Sequence, residues 1–244
     1  MAAEAIAPIS YAALVEQDRI NIASAEATSM SSSIVALKRR ELLIGATAAA
    51  LIPALPALAA RRTVTPGQTE GPFYPVAFPA DMDNDLVRVQ GRAAQALGQV
   101  THVVGRVLNA RGEPVRGATL EIWQCDANGI YNHPGQPGLQ RRDAAFQGYG
   151  RTQAADDGRY SFRTIRPVAY PGRTPHIHFK VQAPGAGRLT TQMYIAGERQ
   201  NATDGLLNSI RSAAARESVI VRLERADAIE PGALQGNFDI VLDL

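Results

Sequence analysis

The chain has 244 residues, of which 45% are hydrophobic and 20% charged, with 21 glycines, 15 prolines and a single cysteine, Cys125. That length supports a substantial core, and the composition excludes collagen-like, disulfide-scaffold and acidic disordered chains. The formal net charge is +2, and only Lys38 and Lys180 are lysines among the 25 Lys and Arg residues, so there is no electrostatic footprint for nucleic acid.

The first segment with a pattern is Lys38-Arg39-Arg40-Glu41 followed by the apolar run Leu42 to Ala59. Pro53 and Pro56 break the second half of that run, and Ala57-Leu58-Ala59 has the small-x-small form of a cleavage site. Paired arginines ahead of an alanine-rich apolar run resemble a twin-arginine export signal, so residues 38–59 are expected to direct export to a bacterial periplasm or exterior. No stable membrane span is expected once the signal is removed. Residues 1–37 form an N-terminal extension, and Met30, followed by three serines, offers an alternative start.

Residues 60–100 lack clear periodicity and contain Pro66, Pro72, Pro75 and Pro79, which predicts an extended arm. From Thr101 the chain changes to short alternating runs punctuated by turn residues. Strands are predicted over Thr101–Leu108, Val115–Cys125, Gly158–Ile165, His176–Ala183, Leu189–Ile195, Ser218–Arg225 and Asn237–Leu242, with one helix near Ala202–Ala215 weakened by Gly205. The expected fold is all-β: an antiparallel sandwich of about seven to eight strands over residues 101–244, with long loops and little helix.

His176-Ile177-His178-Phe179-Lys180-Val181 carries the most chemical information. Alternation along a strand points both histidines to one face, roughly 6.5 Å apart, with Ile177, Phe179 and Val181 facing the core. Two imidazoles so placed can share a metal, form a hydrogen-bonded pair or face a substrate. A lone cysteine cannot build a structural zinc site. Oxygen ligands would complete a metal site, and Tyr131 and Tyr170 lie nearby in sequence. A phenol is neutral at pH 7 but can be held as phenolate by a trivalent metal, although either tyrosine also suits a core position.

Taken in order, several segments resemble the intradiol ring-cleaving dioxygenases, the family of catechol 1,2-dioxygenase and protocatechuate 3,4-dioxygenase. These are Thr69-Glu70-Gly71-Pro72-Phe73-Tyr74, Gly117-Ala118-Thr119-Leu120-Glu121-Ile122-Trp123-Gln124, Asn128-Gly129-Ile130-Tyr131, Gly158–Pro167, Tyr170-Pro171, Arg173 and His176-Ile177-His178-Phe179. The resemblance implies non-haem Fe(III) held by Tyr131, Tyr170, His176 and His178, with Tyr131 and His176 equatorial and Tyr170 and His178 axial. It implies that a small aromatic diol chelates the metal in place of Tyr170. Both atoms of O2 then enter the ring, which opens between the hydroxyl-bearing carbons to a muconate-type diacid. It also implies that Arg173 stabilises developing negative charge, that Gln192 orients the site, and that Gly71, Pro72, Phe73, Trp123 and Arg173 line the substrate pocket.

His133, Tyr149 and Tyr160 read as structural residues. The connection from Tyr170 to His176 is shorter than in the familiar catechol and protocatechuate enzymes and resembles an exported branch of the family. A more open mouth and a bulkier or less strictly defined substrate follow as expectations. The long helical N-terminal region of catechol-type enzymes is not matched, which points to protocatechuate-like architecture. Open sandwich edges and the arm leave room for a homo-oligomer. Two other readings compete. One is an exported, non-catalytic prealbumin-like sandwich module, suggested by Val104–Ala118. The other is a metalloenzyme pairing the two histidines with Asp156 or Asp157, which the turn-like Asp156-Asp157-Gly158 disfavours.

Overall fold

A computed structural model describes residues 61–185 and 187–244; the expected extension and export signal lie outside the described residues. Ten strands form two five-stranded sheets. In chain order they are β1 (Val100–Asn109), β2 (Thr119–Trp123), β3 (Tyr149–Gln153), β4 (Arg159–Ile165), β5 (His176–Gln182), β6 (Arg188–Ile195), β7 (Ile220–Val221), β8 (Leu223–Arg225), β9 (Leu234–Asn237) and β10 (Ile240–Leu242). One sheet runs β3-β2-β5-β6-β7. In the other, β1 pairs on one edge with β4 and on the other with β9 and β10 in succession, and β8 flanks β9.

The core lies between the sheets. Ile177, Phe179 and Val181 of β5 and Leu120 and Ile122 of β2 are fully buried against Val103 and Val107 of β1 and Phe162 of β4. Phe162, Phe179, Tyr160 and Phe238 meet edge to face across the layers, the arrangement their ring quadrupoles favour. Tyr160 is structural in the sense expected of it, since its buried hydroxyl donates to Phe238 O at 2.5 Å.

The all-β sandwich is as expected, but it is mixed rather than purely antiparallel. β1–β9, β1–β10 and β6–β7 are parallel pairs. A parallel pair needs a long crossover, and the chain supplies one between β6 and β7 with two short helices, α1 (Gly205–Asn208) and α2 (Ala213–Glu217). These replace the single helix predicted over Ala202–Ala215, because Asp204 and Ser212 each cap a separate start. The strand predicted over Ser218–Arg225 divides at Arg222, with β7 joining one sheet and β8 the other. β9 was not predicted, and neither was β3. Its Tyr149-Gly150-Arg151 has no apolar alternation, and Gly150 leaves the space into which Leu86 packs: a Cβ there would lie 2.4 Å from Leu86 Cδ1.

The arm spans both sheets. Thr65 exchanges hydrogen bonds with Val241 of β10, Thr191 Oγ1 of β6 donates to Pro66 O, and Gln68 N donates to Thr190 O. It then covers the outer face of β5, so both faces of that strand are buried as far as Val181. This covered face carries His176 and His178.

Candidate active site

Local geometry delivers each side chain to one end of the β3-β2-β5-β6-β7 sheet. Register places Trp123 of β2 and Gln192 of β6 on either side of His178, and Tyr194 beside His176. Tyr131 arrives from the loop after β2. There the buried Asp126 carboxylate accepts from Asn128 N at 2.9 Å, Ile130 N at 3.0 Å and Asp143 N at 2.6 Å, while Gly129 takes a φ of 75° that an L side chain resists. Tyr170 and Arg173 are brought together by a tight turn closed by Arg173 N donating to Tyr170 O at 2.9 Å. Pro171 presets its first corner and Gly172, at φ 84°, permits its second.

The two histidines and Tyr131 converge. His176 Nε2 lies 3.2 Å from His178 Nε2 and 3.4 Å from the Tyr131 hydroxyl. Tyr170 meets Tyr131 edge to face, with ring centres 5.7 Å apart, and its ring centre is 5.6 Å from that of His176. His176 and His178 are 1% and 3% exposed and Tyr131 is 2% exposed, whereas Tyr170 is half-buried. Burial, with the Arg173 charge adding to it, lowers His176 to about 4. Burial and the neighbouring His176 and Arg173 lower His178 well below its ordinary value. Burial raises the phenols of Tyr131 and Tyr170 above their ordinary value. At neutral pH the protein alone therefore presents two neutral imidazoles and two neutral phenols.

This donor set suits a metal ion. His176 Nδ1 faces the Thr174 carbonyl at 2.6 Å, and a carbonyl can only accept, so the proton sits on Nδ1 and the Nε2 lone pair points into the cluster. His178 Nδ1 is buried without a hydrogen-bond partner, and the imidazole meets the cluster through its Nε2. Donor separations of 3.2 and 3.4 Å are close to the edges of a coordination sphere with metal–ligand bonds of about 2.0–2.2 Å. Among the described residues no group of three or more His, Cys, Asp or Glu could hold a metal, so the phenols are the oxygen donors at hand. Asp156 and Asp157 do not reach this site. They lie exposed in the β3–β4 turn, with Arg116 and Arg159 as their ion-pair partners.

Around the cluster, Trp123 stacks on His178 at 4.7 Å and 11°, and Phe73 stacks on Tyr131 at 4.8 Å and 20°. A Cβ on Gly71 would lie 3.5 Å from His178 Cε1, so the arm backbone passes close to that imidazole. Pro72, between them, is exposed. Arg173 Nη2 donates to Gln192 Oε1 at 2.5 Å and its Nε to Asp204 Oδ2 at 2.9 Å. Gln192, fully buried, also accepts from the Tyr194 hydroxyl and donates to Thr69 O, which ties the guanidinium to the arm. Two residues read from sequence as purely structural border the site. His133 meets the edge of Phe73, and Tyr149 packs with Trp123, Tyr131 and Cys125.

Sequence reasoning missed Asp204. Its Oδ1 caps α1 through Leu206 N and Leu207 N, while its Oδ2 accepts from Arg173 Nε and Thr174 N. Burial alone would raise this carboxyl, but the backbone amides and the Arg173 guanidinium outweigh that and hold it below the ordinary carboxylate range. An Asp at the start of the predicted helix was a visible capping signal; its bond to Arg173, 31 residues away, was not.

A family model described as "Dioxygenase" matches residues 69–244. The chain is 37% identical over 179 residues to the protocatechuate 3,4-dioxygenase beta chain of Burkholderia cepacia, covering 70% of this chain and 76% of that one. This chain belongs to the intradiol ring-cleaving dioxygenases. It is an oxidoreductase by that membership. A catechol 1,2-dioxygenase of Acinetobacter lwoffii is 30% identical over 152 residues, 55% of this chain and 47% of the relative, so the chain spans about half of that protein's length. Among solved structures, the dioxygenase domain of a dioxygenase–carbohydrate-binding fusion from Streptomyces sp. SirexAA-E aligns with a TM-score of 0.58 at 33% identity, covering 75% of this chain and 99% of that one. All of these relatives are dioxygenases, which leaves the non-catalytic sandwich module without support. No helix of the described residues is long and apolar enough to cross a membrane.

Proposed function

We propose that the protein is a non-haem Fe(III) intradiol dioxygenase that cleaves a catechol-type ring between its two hydroxyl-bearing carbons to a muconate-type diacid. The observation that carries this is the convergence of His176 Nε2, His178 Nε2 and the Tyr131 hydroxyl, with Tyr170 alongside. Those four residues would hold the iron. Ferric iron bound there would supply the Lewis-acid and redox chemistry that makes a chelated diol reactive toward O2.

The chain's own residues then have distinct tasks. Thr174 O fixes the His176 tautomer, Trp123 stacks on the His178 ring, and the Gly71 backbone lies close to that ring's Cε1. Tyr131, wholly buried beneath Phe73, is the fixed phenol. Tyr170 is the exchangeable one: it is half-buried, and if held as phenolate by the metal it would leave as a neutral phenol, taking up a proton from the incoming diol. Arg173, clamped by Asp204 and Gln192, presents a fixed positive charge beside Tyr170 where negative charge would grow on the ring. The arm and Trp123 keep water from the buried histidines. Residues 38–59 lead us to propose export by a twin-arginine route, which an export assay with Arg39 and Arg40 replaced by Lys would test.

The decisive experiment is a visible absorption spectrum of iron-loaded protein with and without catechol, alongside O2 uptake. A broad phenolate-to-iron band that moves to longer wavelength with catechol, weakens in Tyr131→Phe and disappears in His176→Ala is the expected result. A colourless protein that binds iron no better than His176→Ala would overturn the proposal.

A further inference from the structure

Lys180 is the one lysine of the described residues, and it is buried on the same face of β5 as His176 and His178. It holds two points of the arm at once. Its Nζ pairs with Glu70 Oε2 at 2.5 Å and lies 3.1 Å above the centre of the Tyr74 ring. Tyr74 is fixed further by donating to Glu121 Oε2 at 2.7 Å, and its ring meets Trp123 edge to face. Glu121 is the direct cross-strand neighbour of Lys180. Without the lysine, Glu70 and Glu121 would share this face with no buried cation between them.

The residues between the two points of attachment are the ones that touch the candidate ligands. Gly71 passes close to His178, and Phe73 stacks on Tyr131. On the other side, Tyr74 backs Trp123, which stacks on His178. We propose that Lys180 is a positioning residue: a buried cation that latches segment 70–74 of the arm onto β5 and so sets the wall of the substrate pocket without touching the substrate. Where catalysis is concerned this rests on the dioxygenase reading above; the latch itself is a statement about the arm.

Both parts are testable on the full chain. Lys180→Met is expected to speed amide hydrogen exchange across residues 68–74. It is also expected to lower kcat/KM for catechol by up to about thirtyfold, mostly through KM, the size of one desolvated cation–π contact. The resting phenolate band should be unchanged, because no ligand is altered. Lys180→Arg, which keeps the charge and the ring contact, should restore most of the protection and the KM. Glu70→Gln, at a partly exposed position, should shift both readouts in the same direction by less, and it serves if Lys180→Met fails to fold. Unchanged exchange in both Lys180→Met and Glu70→Gln would overturn the latch. So would loss of the resting band in Lys180→Met, since the lysine would then be supporting the ligands directly. Parent protein that stays colourless with iron and binds it no better than His176→Ala would refute the functional proposal, and the exchange measurement would still decide the latch.

Discussion

Replacing Asp204 by Asn tests how the site's cation is held. Asn caps a helix about as well as Asp, so α1 should keep its bonds from Leu206 N and Leu207 N. What is lost is the charge facing Arg173 Nε at 2.9 Å and Thr174 N at 3.0 Å. Removing one member of a buried ion pair typically costs about 3–5 kcal/mol. Arg173 is 15% exposed and keeps its bond to Gln192, so a loss of about 2–3 kcal/mol is expected, or roughly 5–10 °C in Tm. The pH dependence has a definite sign. The folded-state pKa of Asp204 is depressed, so its stabilisation is complete above the ordinary carboxyl value of about 4 and is lost as pH falls through the lower folded value. The gap between parent and Asp204→Asn should therefore be constant near neutrality and close only in acid. Urea unfolding of parent, Asp204→Asn, Arg173→Gln and the double variant gives the coupling directly, expected at about 1 kcal/mol or more. A coupling near zero, or a stability gap that widens in acid, would refute this account of the pair.

Two further outcomes follow from the geometry. Arg173→Met should leave the catechol-shifted absorption band in place while kcat falls by about 10²–10³, the usual effect of removing a charge-stabilising group; single-turnover kinetics on the pre-formed complex would separate the two, and an unchanged kcat would remove Arg173 from the chemistry. Gly105→Ala should destabilise the sandwich by about 3 kcal/mol, because the new Cβ would fall 2.0 Å from Phe238 O, where β1 and the β9–β10 junction touch backbone to backbone. A thermal melt close to that of the parent would show that this junction yields without cost.

The chain's own residues determined whatever depends on local periodicity and turn chemistry. Alternation alone assigns His176 and His178 to one face of β5 and Ile177, Phe179 and Val181 to the other. The turns that present Tyr170, Arg173 and Tyr131 rest on Pro171-Gly172 and Gly129, but by sequence Glu121 to Ile130 reads as one strand-like stretch and neither turn is assigned. The ordered Tyr, Tyr, His-x-His set, with its flanking segments, made the family legible before any coordinates. Tertiary structure decided the rest, because cross-strand register and the docking of an arm are set by contacts far apart in sequence and leave no local mark. Gly150 reads as a loop residue until Leu86 packs on it, and Ser218–Arg225 reads as one strand until its halves join different sheets. Asp204 reads as a helix cap until its second oxygen meets Arg173. Lys180, by sequence a charged interruption of a core strand, is buried because Glu70 and Tyr74 reach it from more than a hundred residues away, and an ion pair of that kind has no signature in either segment alone.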